Sequence, residues 1–246
     1  MKYVLTMVLA GFTFFISWSY ATLPEENKQF IHFAISAEYP PFEYNEKGDI
    51  KGFDIDLARL IAKQLGKEAI FDSMQFSGIL PAINANLVDV AISTITITEA
   101  RKKNFDFSKP YYFESLAAVF DQQHPIKDVQ QLKGKKIAAQ LGSTMELWLK
   151  KNVPDAHLLV IDNNNQAIAA LKAGQVDLVL VDGAQGAVFS QKNSGLSFAI
   201  VSKSDDGYGL VLKKNSPLTL QINQALEALE QNGELGKLKK KWLEGA

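Results

Sequence analysis

A run of hydroxyl residues followed by an arginine is the part of the sequence best suited to bind a charged small molecule. The β-branched residues around Val90 predict a strand that ends in these hydroxyls. They are Ser93, Thr94, Thr96 and Thr98. In α/β proteins, ligands bind at the carboxyl ends of strands. Arg101 lies about one helical turn further on, and its guanidinium can grip a carboxylate through two parallel hydrogen bonds. Alternatively, Ser93 and Thr98 only cap a helix and Arg101 is a solvated surface charge.

A carboxylate at the end of a second strand is the complementary candidate. Residues 176–182 form an almost continuous apolar run that predicts a strand buried on both faces, and this run ends in Asp182. Arg101 and Asp182, facing each other across a cleft, would suit a zwitterion, with Tyr39 and Phe76 as aromatic walls. Asp182 could instead simply cap the helix that follows it.

The composition excludes several other classes of protein. The 246 residues carry a net charge of −1, so the chain lacks the excess of positive charge that is typical of proteins that bind nucleic acid or an acidic membrane. The absence of cysteine excludes disulfides, a thiol nucleophile and thiolate metal sites. Asp54 and Asp56 could bind a metal, but their place at a predicted helix start favours capping. The turn at Gly142 lacks the Gly-Lys-Ser/Thr of a phosphate loop, so no cofactor is expected.

The N-terminus has the features of an export signal. Met1 and Lys2 are followed by an almost wholly apolar run over 3–18, and Ser19 to Ala21 supply a small-residue cleavage site. We therefore predict a signal peptide over 1–21, with a membrane anchor as the alternative. An exported chain without cysteine indicates the periplasm of a Gram-negative cell.

Segments typical of strands and helices alternate along the chain, which predicts an α/β fold with largely parallel sheets. Two such units are joined by extended segments near 116–121 and 207–213. The chain is therefore expected to leave a first lobe, build a second and return, so that two crossings form a hinge beside a cleft. The expected lobes are 22–115 with 208–246, and 116–207.

A set of short motifs resembles the bacterial extracellular solute-binding proteins of family 3, the polar amino-acid class. The resemblance covers the whole mature chain, and the motifs are specific only in combination. In family order they are Tyr39-Pro-Pro-Phe42, Gly52-Phe-Asp-Ile-Asp-Leu57 with Ile61-Ala62, Phe76-Ser-Gly-Ile-Leu-Pro81, Ser93 to Arg101, Phe107-Ser, Tyr111-Tyr112, Leu132-Lys-Gly134-Lys, Gly142-Ser-Thr144, Asp182, and the ending from Gly233 to Trp242. The family implies a type II periplasmic binding protein fold, in which two α/β lobes close about a two-strand hinge on one amino acid.

The resemblance also implies a role for each part of the site. Arg101 is expected to hold the α-carboxylate of the ligand, helped by the backbone N–H groups of Thr96 and Thr144. Ser143, in the same turn as Thr144, is expected to belong to the site.

The α-ammonium of the ligand is expected at Asp182, Thr94 and the carbonyl of Ser93. Tyr39 and Phe76 are expected to sandwich the ligand side chain.

Specificity is where this chain departs from the family pattern. Binders of basic amino acids often carry an acidic residue three positions before Tyr39, where this chain has Ser36. Glu38 is nearby, but it is expected to point away. Met145 stands where such binders can carry a glutamine, and Gln140 is a candidate for the side-chain end of the site. Arginine, lysine or ornithine is the favoured ligand, and glutamine or another neutral polar amino acid is the alternative.

Three functional classes are compared on this basis. A receptor that delivers its amino acid to an inner-membrane ABC permease, as a monomer, is the function that the family implies. An exported cyclohexadienyl dehydratase would need a general acid, for which Glu38, Glu114 or Asp182 could be proposed, but none has a second catalytic group beside it. An enzyme is therefore not expected. A ligand-sensing module is the third possibility.

Overall fold

The protein is described by a computed structural model that covers residues 29–203 and 206–243. The predicted signal peptide over 1–21 lies outside these residues. The strands are β1 Phe30–Ile35, β2 Glu38–Tyr39, β3 Glu43–Glu46, β4 Asp49–Lys51, β5 Glu68–Ser73, β6 Val90–Ala91, β7 Phe105–Phe107, β8 Tyr112–Phe113, β9 Leu116–Asp121, β10 Lys136–Gln140, β11 His157–Ile161, β12 Leu178–Asp182, β13 Leu196–Ser202, β14 Gly207–Tyr208 and β15 Val211–Lys213. The helices are α1 Phe53–Gln64, α2 Phe76–Asn84, α3 Glu99–Lys102, α4 Thr144–Asn152, α5 Asn164–Lys172, α6 Gly183–Lys192, α7 Leu218–Gln231 and α8 Glu234–Trp242, with a 3₁₀ turn at Val129–Leu132.

Each lobe is built on one five-stranded sheet. The first has the order β5-β1-β6-β15-β7 and the second has the order β11-β10-β12-β9-β13. In each sheet, one strand runs against the other four: β15 in the first and β9 in the second. The predicted α/β fold with mostly parallel sheets is therefore confirmed. The reversed strand of each sheet comes shortly after a crossing between the lobes.

The two crossings lie next to a short ribbon. Strands β8 and β14 pair with each other outside both large sheets. The chain passes to the second sheet between β8 and β9, and it returns between β13 and β14. The crossings thus come just before the segments 116–121 and 207–213 that the sequence indicated, because β9 already belongs to the second sheet and 207–213 contains β14 of the ribbon and β15 of the first sheet.

Helices cover both faces of each sheet, which gives each lobe its own core. In the first lobe, α1, α7 and α8 pack on one face and α2 on the other. In the second, α4 packs on one face, and α5 and α6 pack on the other. Every residue of β12 is buried, as its continuous apolar sequence predicts. Asp182 is consequently held at the end of a central, fully buried strand.

Asp54 does not cap α1, in contrast to the expectation from sequence. The helix begins after Gly52 without a side-chain cap, and Asp54 instead makes long-range contacts described below. Within residues 29–203 and 206–243, no group of three potential metal ligands comes together. No helix in these ranges has the length and apolar character needed to cross a bilayer.

Candidate functional site

Arg101 links the two lobes at the edge of the cleft. Thr98 caps the short helix α3 by accepting a hydrogen bond from the backbone N–H of Arg101 at 3.2 Å. The guanidinium is thereby directed at two carbonyl oxygens, that of Thr96 at 2.8 Å and that of Gly142 in the second lobe at 3.0 Å. The capping role proposed for Thr98 is correct, but Arg101 is not a solvated surface charge.

The charge of Arg101 is not balanced by any described carboxylate. Burial lowers the pKa of Arg101 to about 10, and no acidic group acts against this effect. The guanidinium therefore remains charged at neutral pH, with carbonyl oxygens as its partners. A partly buried cation in this state has a strong preference for an incoming anion.

Asp182 lies on the opposite side of the cleft, at the end of β12. It occupies the position before α6, yet its side chain makes no capping hydrogen bond. One carboxylate oxygen instead accepts a hydrogen bond from the hydroxyl of Tyr39 at 2.5 Å. Desolvation raises the pKa of Asp182 to about 7, and the carboxylate of Glu114 acts in the same direction, whereas the hydroxyls of Tyr208 and Tyr39 oppose it. No described cation neutralises this carboxylate, so a ligand ammonium would stabilise its charged form.

The turn after β6 is held from behind by two buried acids. Thr94 has a positive φ of 46°, a strained conformation for a β-branched residue, and its N–H donates to Asp54 at 3.0 Å. The hydroxyl of Ser93 donates to Glu43 at 2.7 Å and accepts from the N–H of Ser36 at 3.0 Å. These contacts fix the backbone of the turn, so that the side chain of Thr94 faces the cleft.

The predicted site residues divide into two groups by position. Ser36 and Ser93 lie one layer behind the cleft, in the hydrogen-bonded network of Glu43. The others, together with Met145, line one narrow cavity of about 10 Å³ between the lobes. The lining is Tyr39, Phe76, Thr94, Thr96, Arg101, Gln140, Ser143, Thr144, Met145 and Asp182. A cavity of this size holds about one water molecule, so the two lobes are closed on each other.

The second-lobe wall is formed by the N-terminal turn of α4. Ser143 caps this helix by accepting from the N–H of Glu146 at 3.3 Å, and its hydroxyl donates to the carbonyl of Gln140 at 2.6 Å. The hydroxyl of Thr144 lies 3.2 Å from that of Thr96 in the first lobe. The nine-residue helix α4 begins at this wall of the cleft, and the partial positive charge at a helix start favours an anion.

Three further residues join the lobes directly: Glu38, whose predicted orientation is wrong, and Ser77 and Asp162, which sequence reasoning missed. Glu38 does not point away: its carboxylate accepts from the side-chain amide of Gln140 at 2.9 Å. Asp162 accepts from the N–H of Ser77 at 3.2 Å and from its hydroxyl at 2.5 Å. Ser77 follows Phe76 at the start of α2, and Asp162 follows the end of β11. These positions at the ends of elements were the only features of the sequence that could have pointed to the two residues.

The fold and the cleft define a class of protein, the two-lobed extracytoplasmic receptors that close on a small solute. The family model of the bacterial extracellular solute-binding proteins, family 3, matches residues 31–245, and the chain belongs to this family.

Relatives with assigned ligands span nearly the full length of the chain. The arginine-binding extracellular protein ArtP of Bacillus subtilis (strain 168) is 33% identical over 251 residues, which cover 99% of this chain and 98% of ArtP. An ancestral arginine-binding protein, solved with arginine and also with glutamine, has a TM-score of 0.85 and 38% identity, covering 88% of this chain and 99% of that one. The ancestral amino acid-binding protein AncCDT-1, a precursor of cyclohexadienyl dehydratase, has a TM-score of 0.81 and 31% identity, covering 87% of this chain and 95% of that one.

Proposed function

We propose that the protein is the periplasmic receptor of an ABC importer and binds one polar amino acid between its lobes by hinge closure. One observation carries this proposal. Arg101 and Asp182 are opposite charges without described ionic partners, and both line the same narrow cavity. A zwitterionic head group satisfies both charges at once, which neither a simple anion nor a simple cation can do.

The α-carboxylate is assigned to the Arg101 side of the cavity. The guanidinium can exchange its carbonyl partners for a carboxylate, a stronger acceptor. The backbone N–H groups of Thr96 and Thr144 are proposed to assist, since both residues line the same cavity as Arg101, and Ser143 caps the helix that begins there. The start of α4 contributes a partial positive charge to this position.

The α-ammonium is assigned to Asp182, Thr94 and the carbonyl of Ser93. Tyr39 and Phe76 then enclose the side chain of the ligand, with Gln140 at its far end. Ser36 supports the turn at Ser93 and Thr94 from the layer behind, through its N–H bond to the hydroxyl of Ser93. Of the candidate ligands, arginine is favoured, since its flat guanidinium stacks well on aromatic rings and several relatives are arginine binders.

Glutamine is the second candidate. The ancestral relative was solved with glutamine as well as with arginine, so the framework tolerates both. A dehydratase is not favoured, because the carboxylate of Glu114 is held by the N–H groups of Ser115 at 2.7 Å and Ala184 at 2.9 Å. These contacts place Glu114 at the start of α6 as a structural group.

The proposal extends to the setting in which the receptor works. Residues 1–21 direct the chain to the periplasm, where it acts as a monomer with lobes over 22–115 with 208–246 and over 116–207. An inner-membrane permease takes the amino acid from the closed receptor.

A thermal-shift screen of refolded, ligand-stripped protein against the twenty amino acids, ornithine and citrulline tests the proposal. A ligand that binds only the native state at 1,000 times its Kd adds about 4 kcal/mol to the free energy of unfolding. We expect the largest shift with arginine. A shift with no amino acid would contradict the receptor assignment, and incubation with prephenate or arogenate would then test for dehydratase turnover.

A further inference from the structure

The side-chain amide of Gln140 is held in one orientation by two acceptors. Its Nε2 donates to the carboxylate of Glu38 at 2.9 Å and to the backbone carbonyl of Asp162 at 3.2 Å. Both partners are oxygen acceptors, so the NH₂ end of the amide must face them. Within residues 29–203 and 206–243, no group donates to the Oε1 of Gln140, and Gln140 lines the cleft cavity. The amide therefore offers an acceptor to the ligand.

Behind this acceptor lies a carboxyl group that has no ion-pair partner among the described residues. Glu38 is only 9% exposed, and its hydrogen-bond donors are the neutral amide of Gln140 and the backbone N–H of Asn164 at 3.4 Å. No described cation acts on its carboxylate. The charged and titratable groups that face Glu38 are Asp162 after β11, Glu43 on β3, and, around a neighbouring cavity of about 340 Å³, Tyr44 on β3, Lys172 on α5 and Lys192 on α6.

We propose that Glu38 is the positioning residue that sets the charge specificity of the cleft, acting through Gln140 to favour a cationic ligand side chain over a neutral one. This inference rests on the proposed function, since it concerns the far end of the same amino-acid site. The acceptor of Gln140 can bind the donor of a guanidinium, an ammonium or a primary amide. The charge of Glu38, one hydrogen bond further back in a poorly solvated setting, stabilises only the cations. Glu38 thereby takes the role of the acidic residue that is expected three positions before Tyr39, where this chain has Ser36.

The arrangement also makes the preference depend on pH. Desolvation raises the pKa of Glu38 to about 7, and the neighbouring Asp162 acts in the same direction, whereas the hydrogen bonds from Asn164 and Gln140 oppose it. A cation at Gln140 stabilises the charged form of Glu38, so affinity for a cationic ligand rises with pH through this range. Asp182 titrates in the same range, but it faces the α-ammonium that all amino acids share. The ratio of two affinities therefore isolates Glu38.

Arginine and citrulline form the matched pair of ligands, because citrulline has the same shape with a neutral ureido group. Their Kd values would be measured by isothermal titration calorimetry on ligand-stripped protein at pH 5.5, 7 and 8.5. For the wild type, we expect arginine to bind more tightly and the arginine-to-citrulline affinity ratio to rise with pH. This measurement needs no substitution. A ratio that does not change with pH, or a preference for citrulline, would overturn the inference and leave the receptor assignment standing.

The variant Glu38→Gln keeps the shape of the side chain and an acceptor for Gln140, but removes the charge. We expect arginine affinity to fall about tenfold, which corresponds to about 1.4 kcal/mol, with citrulline affinity within about twofold and a ratio independent of pH. Glu46 on β3 is an exposed acid beside Lys51. The variant Glu46→Gln is the control and should leave the affinity for both ligands unchanged. If the Glu38→Gln variant lost equal affinity for arginine and citrulline, Glu38 would have only a structural role. Wild-type protein that binds no amino acid would overturn the proposed function itself.

Discussion

At the scale of single residues, the proposed binding of a zwitterion is expected to depend on Arg101. Replacing Arg101 by Ala removes the partner of a carboxylate that is buried when the cleft closes, a loss of about 2–5 kcal/mol in binding. By calorimetry, we therefore expect affinity for the best amino acid to fall at least about thirtyfold. The melting temperature without ligand should change little.

Arg59 offers a control for this substitution. Its side chain is half-exposed on α1 and pairs weakly with Asp56 at 3.4 Å. Arg59→Ala should leave ligand affinity unchanged. If Arg101→Ala kept the affinity of the wild type, the assignment of the carboxylate site would be wrong.

Asp182→Asn tests the other end of the head group. The asparagine still has an oxygen to accept from the hydroxyl of Tyr39, so the local structure should survive. Loss of a charge-assisted hydrogen bond to the ammonium is expected to weaken amino-acid binding by about 2 kcal/mol. Titration with the desamino analogue of the same ligand should show a much smaller loss. A similar loss with both ligands would contradict the pairing of Asp182 with the ammonium.

At the scale of elements, the start of α1 depends on a glycine. Gly52 has a φ of 132°, and a Cβ at this position would lie 2.1 Å from the carbonyl oxygen of Phe42. Gly66, after the same helix, has a φ of 68°, but a Cβ there would meet nothing within 4 Å. A side chain at Gly66 would therefore meet backbone strain alone, whereas a side chain at Gly52 would meet backbone strain and a steric clash.

Alanine at these two positions should have different effects on stability. We expect Gly66→Ala to lower the free energy of unfolding by about 1–2 kcal/mol, the effect of a left-handed conformation alone. Gly52→Ala should lower it by about 3 kcal/mol or more, because the chain around Phe42 must shift. Urea denaturation of both variants measures this difference. Equal effects would show that the loop before α1 adapts to the added methyl group.

At the scale of the whole molecule, closure is supported by direct contacts between the lobes. The hydroxyl of Ser77 donates to Asp162 at 2.5 Å, and the guanidinium of Arg101 reaches the carbonyl of Gly142 at 3.0 Å. The narrow cavity of about 10 Å³ holds about one water molecule, so we expect the lobes to move apart when an amino acid binds there. The contacts that form on closure then contribute to affinity.

Ser77→Ala is expected to weaken ligand binding without touching the ligand. It removes a hydrogen bond to a charged group that exists only when the lobes are closed, worth about 1.5 kcal/mol or more. Affinity should fall about tenfold, and small-angle scattering should show a larger radius of gyration without ligand. Ser190→Ala is the control, because that hydroxyl bonds only to Ala187 within α6. An unchanged affinity would show that this contact does not support closure.

Features that depend on local patterns could be predicted from the amino-acid sequence. The continuous apolar run over 176–182 predicted a fully buried strand with Asp182 at its end, and the alternation of elements predicted two α/β lobes. Arg101 and the hydroxyls before it could be singled out because a strand end is where α/β proteins bind ligands. These inferences need only the period of a strand or helix and the chemistry of a side chain.

Only the tertiary structure decided which side chains meet across the cleft. Glu38 and Gln140 are 102 residues apart, and Ser77 and Asp162 are 85 apart, so no local pattern relates them. Asp54 likewise looked like a helix cap, but the packing of α1 turns it toward Thr94, 40 residues away. The physical reason is that such contacts depend on how elements distant in the sequence pack within a lobe, and on how the two lobes are oriented relative to each other. The sequence pattern predicts which face of its own strand or helix a side chain occupies, but it does not predict which distant side chain that face will meet.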